Sequence, residues 1–437
     1  MGMTTSSPGG AGASAGAERT AGIWDASVDA QEAQAPSSSV TRRNALRYVK
    51  FGNSDMVVSE LCAGTMTWGS FNADESMAHE QMDALVKAGV NYFDTAELYP
   101  VAWDYGKTTE KWMGNYFAKQ IAEGDIKRSD FYIATKCNPA GIGGSGNAHA
   151  FTLDELEFSL NASLERLQTD YIDLYQLHWP TRNVPVFGCA SYFVDRERLP
   201  KVTSGGDMDV FEKQVIAVKA LLDSGKIKYW GLSNENAYGL TMFCIACDKL
   251  GVPRPISVQN DFSLCNRTYE TDLLEACHRF GVVGLPYGCL AGGVLTGKYI
   301  PGTEEEKRSN TDRPIEECRM RKSPNFQPRY GMPEVMRATE KYAKLAREYG
   351  ITPCEMAYAW ANQRWFNGAI ITGTTTIAQV EEAVRAFKLD LPTELLDKIE
   401  IIHEEIRNPC CHMSSKPACV EAPWLGDKAM NATKAKY

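Results

Sequence analysis

LDELEFSLNASLERLQTDYIDLYQLH, residues 153–178, contains one full passage from helix to strand. Its first half returns apolar side chains at helical spacing, and IDLYQLH is a short aliphatic run that closes on His178. The same rhythm extends in both directions. SELCAG, NYFDT and FYIATK precede it as strand candidates, and YWGLSN, ISVQND, VVGLPYG and GAIITG follow. Amphipathic stretches such as HEQMDALVKAG, VFEKQVIAVKALLDSG and VMRATEKYAKLAREYG separate them. Eight such strand–helix pairs predict a single (β/α)8 TIM barrel rather than an open doubly wound sheet. LRYVKFGNSDMVV, ahead of the first strand, reads as a β-hairpin turning at Gly52-Asn53.

Composition limits what the barrel serves. The chain has 437 residues, 44% of them hydrophobic, enough for a large core. A net charge of −9 without a basic block argues against nucleic acid as a partner. No run of about 18 uncharged apolar residues is present, so no transmembrane segment is expected. Residues 1–45 are Gly/Ala/Ser/Thr-rich at the start and read as a disordered tail, 46–407 as the barrel and 408–437 as a C-terminal extension. The tail lacks the apolar stretch of a secretory signal, and its acidic residues argue against a transit peptide. MGMTTS fits the myristoylation pattern at Gly2, but no second membrane signal follows. The thirteen cysteines form no secreted framework, and a reducing cytoplasm suits them. Cys244 and Cys247 form a CxxC whose spacing suits one packed helix face better than a zinc or redox pair. Cys410, Cys411, His412 and Cys419 read as free thiols and a histidine in a wrapped tail, so no metal is expected.

Chemistry concentrates at strand ends. Side chains at the C-terminal ends of barrel strands face the catalytic mouth. Asp94 ends the second strand in FDTAELYP (93–100), Lys136 the third and His178 the fourth. Tyr99 stands just past the second. Each alone has an ordinary structural explanation, such as a lysine reaching solvent. Together they form a plausible acid and its tuning partners. A phenol is a poor acid near neutrality, an adjacent ammonium favours its phenolate, and a carboxylate keeps that ammonium charged.

Several motifs in register carry a resemblance. GTMTWG, FDTAELYP, LERLQTDYIDLYQLHWP, GKIKYWGLSNENAYG, LAGGVLTGKY and GTTTIAQVEEAV resemble the aldo-keto reductases, closest to the Tas-like branch, over about Tyr48 to Glu405. The resemblance implies a catalytic tetrad of Asp94, Tyr99, Lys136 and His178, and reduction of an aldehyde or ketone with NADPH, NADH being the alternative. It places Thr65, Met66 and Asp94 in the cofactor site. Ser233, Asn234 and Gln259 fall where the family holds the nicotinamide carboxamide, and Tyr287 where a ring stacks on the nicotinamide. Gly288, Leu290 and Ala291 belong to a glycine-containing stretch suited to a pyrophosphate. Lys298 and Arg308 offer positive charge to phosphate. Gly373, Thr375, Gln379 and Glu382 match contacts to the adenosine end. Two departures stand out there: threonines replace the basic residue many relatives have after the glycine, and Ala383 replaces their asparagine.

The substrate is legible only as a small carbonyl compound. Trp68 and Trp179 are expected to wall an apolar pocket. The long stretches Thr181–Met208 and Pro301–Pro333 are expected to act as lids at the barrel mouth. A reading of another class remains beside this one. Potassium-channel β-subunits resemble the same family, so the chain could instead be a dinucleotide-binding, redox-sensing regulator. His178, which those subunits replace, counts against it, as does a tail resembling no docking segment. The oligomeric state is not legible.

Overall fold

The structure, a computed structural model, describes residues 39–411 except 70–73, 101–107, 139–150, 183, 185–186, 188–207 and 324–326. Gly2, His412, Cys419 and most of the 181–208 stretch therefore lie outside the described residues.

One eight-stranded parallel sheet organises the chain. Its strands are β4 (Leu61–Gly64), β5 (Tyr92–Asp94), β6 (Tyr132–Cys137), β7 (Ile172–Leu177), β8 (Ile227–Ser233), β9 (Ser257–Gln259), β10 (Val283–Gly284) and β11 (Ile370–Gly373). β4 to β10 are neighbours in chain order, and β11 returns to lie beside β4, with Gly373 opposite Gly64. Hydrogen bonds then join the segment leading into β11 to β10 and β11 to the residues just past β10. Gly284 N–H donates to Phe366 O at 2.9 Å, Gly368 N–H to Gly284 O at 2.8 Å, and Ile371 N–H to Pro286 O at 3.0 Å. The sheet thus closes on itself as a (β/α)8 barrel and leaves no open edge.

Local chemistry explains the helices that alternate with these strands. The helix Leu153–Leu167 starts at a reciprocal cap: the Thr152 hydroxyl accepts from Glu155 N–H and the Glu155 carboxylate accepts from Thr152 N–H. It ends on Gln168 in the left-handed conformation. Its buried face, Leu156, Leu160, Leu164 and Leu167, joins the large cluster between strands and helices. Cys244 and Cys247 are buried on the helix Ala237–Leu250, the packing role their spacing suggested. Burial raises both thiols, Cys247 to about 12, which disfavours the reactive thiolate.

The expected hairpin is present as β2 (Tyr48–Lys50) and β3 (Val57–Ser59), antiparallel around a turn in which Gly52 has φ +58°. It plugs the barrel floor. Phe51, Met56 and Val58 pack with Cys62, Tyr92, Ala134 and Leu174 of the strands. The Tyr132 and Tyr229 hydroxyls accept from the hairpin N–H groups of Val57 and Asp55.

The tail boundary needs correction. Within the expected 1–45 tail, Thr41–Arg42 forms β1, antiparallel to β12 (Leu389–Asp390). Arg43 and Arg47 both donate to the buried Glu60 carboxylate, and Arg47 also to Asp390. At the other end, the extension begins as a turn, Pro409–Cys411, with Cys410 N–H donating to Cys265 O at 3.2 Å.

Candidate active site

Parallel register brings the strand ends to one rim. Asp94 lies opposite Ala134, and Lys136 opposite Gln176, so side chains from three adjacent strands converge inside the barrel mouth. Lys136 Nζ donates to Asp94 Oδ2 at 2.6 Å, to Thr95 O at 2.6 Å and to the Tyr99 hydroxyl at 3.4 Å. Lys136 is fully buried and Asp94 nearly so. Leaving either charge alone there would cost several kcal/mol, so the two are held as a pair.

Asp94 Oδ1 has its own donors. Gln259 Nε2 reaches it at 2.8 Å and Gln176 Nε2 at 3.1 Å, and Gln259 Nε2 also donates to Gln176 Oε1 at 3.0 Å. Gln176 was not singled out from the sequence. Its amide lies one position inside the strand Ile172–Leu177, and only the folded barrel brings it to Asp94 and Gln259 as part of a buried polar network.

The phenol departs from expectation. Burial first, and the Asp94 carboxylate second, push Tyr99 well above its ordinary value of 10. The ammonium of Lys136 alone would act the other way. Burial also pulls Lys136 down, against the opposing pull of Asp94. The site therefore keeps the phenolic proton in place near neutral pH.

His178 is neutral. Burial, then the Lys136 charge, lowers it well below 6.5. Its ring stacks on Trp179 at 3.6 Å between centroids and meets Tyr99 edge-on at 6.0 Å. Nδ1 lies 2.8 Å from Asn138 Oδ1.

A cavity of about 430 Å³ opens from this group. Thr65, Met66, Asp94, Tyr99, His178, Trp179, Ser233, Asn234, Gln259, Tyr287, Gly288 and Leu290 line it, as do Lys298, Arg308, Gly373, Thr375, Gln379 and Glu382. Ser233, Asn234 and Tyr287 are bonded together. The Tyr287 hydroxyl donates to Asn234 Oδ1 at 2.6 Å, Asn234 Nδ2 to His178 O at 2.9 Å, and Ser233 Oγ to Gln259 O at 2.8 Å. Gly288 is required by the protein itself, because a Cβ there would sit 2.6 Å from Asp261 Oδ1 and 2.7 Å from the Tyr330 hydroxyl.

Two expected residues lie elsewhere. Trp68 does not wall the cavity: the chain turns back after β4, burying the indole in the core with Nε1 3.4 Å from Gln81 Oε1. Met66 and Phe187 pack beside Tyr99 and Trp179 instead. Ala291 is fully buried and is not among the lining residues.

The 301–333 stretch is not a plain loop. It carries the helices Glu304–Asp312 and Arg319–Lys322 and forms one wall of the cavity. Arg313, Arg319 and, from the helix after β11, Arg385 join Lys298 and Arg308 there. Arg319 and Arg313 both act to lower the partly buried Lys298, on which burial acts first. Cations gathered on one wall suit an anionic ligand, with Arg308 paired to Glu382 at 3.0 Å and Arg385 to Glu355 at 3.3 Å. Sequence reading missed Arg313 and Arg319 because their wall is formed by folding of the long stretch itself, and Arg385 because it comes from a separate helix that meets that wall only in the fold.

The Aldo/keto reductase family matches residues 60–404. The chain is also 34% identical over 369 residues to the protein Tas of Escherichia coli, covering 83% of this chain and 99% of Tas. This chain belongs to the aldo/keto reductase family. Within it, an uncharacterised oxidoreductase of Bacillus subtilis is 29% identical over 357 residues, 80% of this chain and 94% of that protein. A probable voltage-gated potassium channel subunit beta of Arabidopsis thaliana is 28% identical over 368 residues, 83% of this chain and 99% of that protein. Membership supports oxidoreduction as the chemistry and agrees with the closed barrel. No described helix is long and apolar enough to cross a membrane.

Proposed function

We propose that this aldo/keto reductase reversibly reduces a small aldehyde or ketone with NADPH. One observation carries the reading: Lys136 Nζ reaches both Asp94, at 2.6 Å, and the Tyr99 hydroxyl, at 3.4 Å, beside the cavity. Tyr99 is the general acid, Lys136 and Asp94 tune it, and neutral His178 orients the carbonyl.

The cavity suits a nicotinamide dinucleotide. Its inner part offers the amide, hydroxyl and phenol groups of Ser233, Asn234, Gln259 and Tyr287, and its outer wall offers Lys298, Arg308, Arg313, Arg319 and Arg385 to phosphate. Thr375 and Gln379 stand at the adenosine end, where Thr375 N–H donates to Gln379 Oε1 at 3.0 Å. Arg308 is bonded to Glu382 at 3.0 Å. When bound, the dinucleotide supplies a hydride, so the protein has to supply only the proton. Tyr99 gives its hydroxyl proton to the carbonyl oxygen as negative charge develops there. Lys136 stabilises the phenolate left behind, and Asp94 holds Lys136 in reach. Trp179, stacked on His178, keeps the ring fixed and its surroundings dry. Titrating NADPH and NADH against tryptophan fluorescence tests the cofactor assignment. NADPH is expected to bind more tightly through the arginine-rich wall, despite the threonines after Gly373. Tighter NADH binding would overturn that preference.

The phenol's direction of shift fixes the pH dependence. A Tyr99 held well above 10 stays protonated at neutral and mildly alkaline pH. The hydride-transfer step of carbonyl reduction should therefore be flat from about pH 6 to about pH 9 and fall only above. Alcohol oxidation needs the deprotonated phenol and should rise with pH over the same interval. A reduction rate already falling near pH 7 would contradict this.

The likeness to the plant β-subunit favours a second reading, a dinucleotide-binding regulator. Under it, carbonyl turnover would be no faster than that of a Tyr99→Phe control across a broad panel of aldehydes and ketones.

A further inference from the structure

The imidazole of His178 is held from behind by groups that the proposed mechanism does not use. Asn138, one residue past β6, places Oδ1 2.8 Å from His178 Nδ1. Asn138 is itself fixed through its main chain, where its N–H donates to Glu97 Oε1 at 2.7 Å. Glu97 comes from FDTAELYP, between Asp94 and Tyr99, and its own N–H donates to Lys136 O at 3.1 Å. Glu97 is 1% exposed, Asn138 7% and His178 5%. A buried carboxylate, an amide and an imidazole thus form a continuous chain behind the tetrad, anchored to the segments that carry Tyr99 and Lys136.

We infer that Glu97 and Asn138 are positioning residues that fix the tautomer and ring orientation of His178. The inference rests on the reductase reading for its catalytic consequence, but not for its structural one. A neutral imidazole has one N–H and one lone pair, and an unrestrained ring exchanges them. With the Asn138 oxygen accepting at Nδ1, that nitrogen carries the proton and Nε2 presents a lone pair on the ring's other side, so the ring orients the carbonyl by its position and not as a donor. The Trp179 stack fixes the plane of the ring but is indifferent to the site of its proton. Asn138 supplies that selection. Glu97 keeps the Asn138 backbone where its side chain can reach. The segment bearing the acid is thereby linked to the ring that orients the carbonyl, so Tyr99 and His178 are placed relative to each other.

Two readouts test this. Nitrogen-15 NMR of histidine-labelled protein, with the His178 signal assigned by its loss in His178→Ala, reports the tautomer without any substrate. Wild type should show a single neutral tautomer near pH 7, and Asn138→Ala an exchange-averaged ring. Unchanged ring shifts in a folded Asn138→Ala protein would overturn the inference even if no substrate is known. The kinetic arm is a double-mutant cycle on single-turnover hydride transfer. Asn138→Ala should slow the wild-type rate about tenfold, yet change the His178→Ala rate by less than about twofold. Equal losses in both backgrounds would show that Asn138 acts independently of His178. Glu97→Gln retains an acceptor for Asn138 N–H in a side chain of the same size, and should preserve the tautomer. If it disperses the tautomer, the role given to Glu97 as acceptor is wrong. Absence of any turnover with an intact tautomer shift would fault the reductase reading alone.

Discussion

Lys136→Met should lose stability and activity together, and the two losses should separate on a second substitution. The methionine leaves the Asp94 carboxylate buried without its cation, although Gln176 and Gln259 still donate to Oδ1. Breaking one side of a buried ion pair typically costs about 3–5 kcal/mol. The midpoint of urea unfolding should fall accordingly. Replacing both partners, as in Lys136→Met with Asp94→Leu, should recover part of that midpoint, because no unpaired charge remains. It should recover none of the activity, since the ammonium beside the phenol is still missing. Full stability in Lys136→Met would mean that the 2.6 Å contact does not hold the site together.

Tyr99→Phe should lower kcat by about 100-fold or more while leaving dinucleotide affinity unchanged. The substitution removes one oxygen whose protein contact is the 3.4 Å hydrogen bond from Lys136, so the fold should tolerate it. What disappears is the proton. Asp94 is bonded to Lys136 and two glutamines as a carboxylate, and a carboxylate cannot donate. Lys136 is fully buried behind the phenol and is not among the cavity-lining residues. His178 is neutral and committed at Nδ1 to Asn138. Tyr99 is left as the acid that lines the cavity. Fluorescence titration of the dinucleotide alongside carbonyl turnover separates binding from chemistry.

The strand ends made the meeting of Asp94, Lys136 and His178 at the barrel mouth legible in the sequence. Asp94, Lys136 and His178 each end an apolar run, where an ionisable group has no packing purpose and stands out. Gln176 was hidden because an uncharged amide one position inside a strand looks unremarkable until Asp94 and Gln259 are seen around it. The β1–β12 pair was hidden because Thr41–Arg42 has no pattern of its own and its partner lies at the far end of the chain. Trp68 misled because the chain reverses just past β4, with Trp68 N–H donating to Thr65 O at 3.0 Å, so the aromatic points into the core. The direction of the Tyr99 shift was beyond sequence as well. Adjacency to a lysine can be guessed from strand ends, but the burial that outweighs it is a property of the assembled mouth.

In the proposed reaction Tyr99 delivers the proton to the carbonyl oxygen. Stopped-flow single-turnover hydride transfer, with saturating NADPH and a reactive aldehyde, measures that step without product release. The wild type should oxidise the bound dinucleotide at least about 100-fold faster than Tyr99→Phe. Equal rates in the two proteins would leave Tyr99 as a bystander in the loop after β5 and overturn its role as the acid.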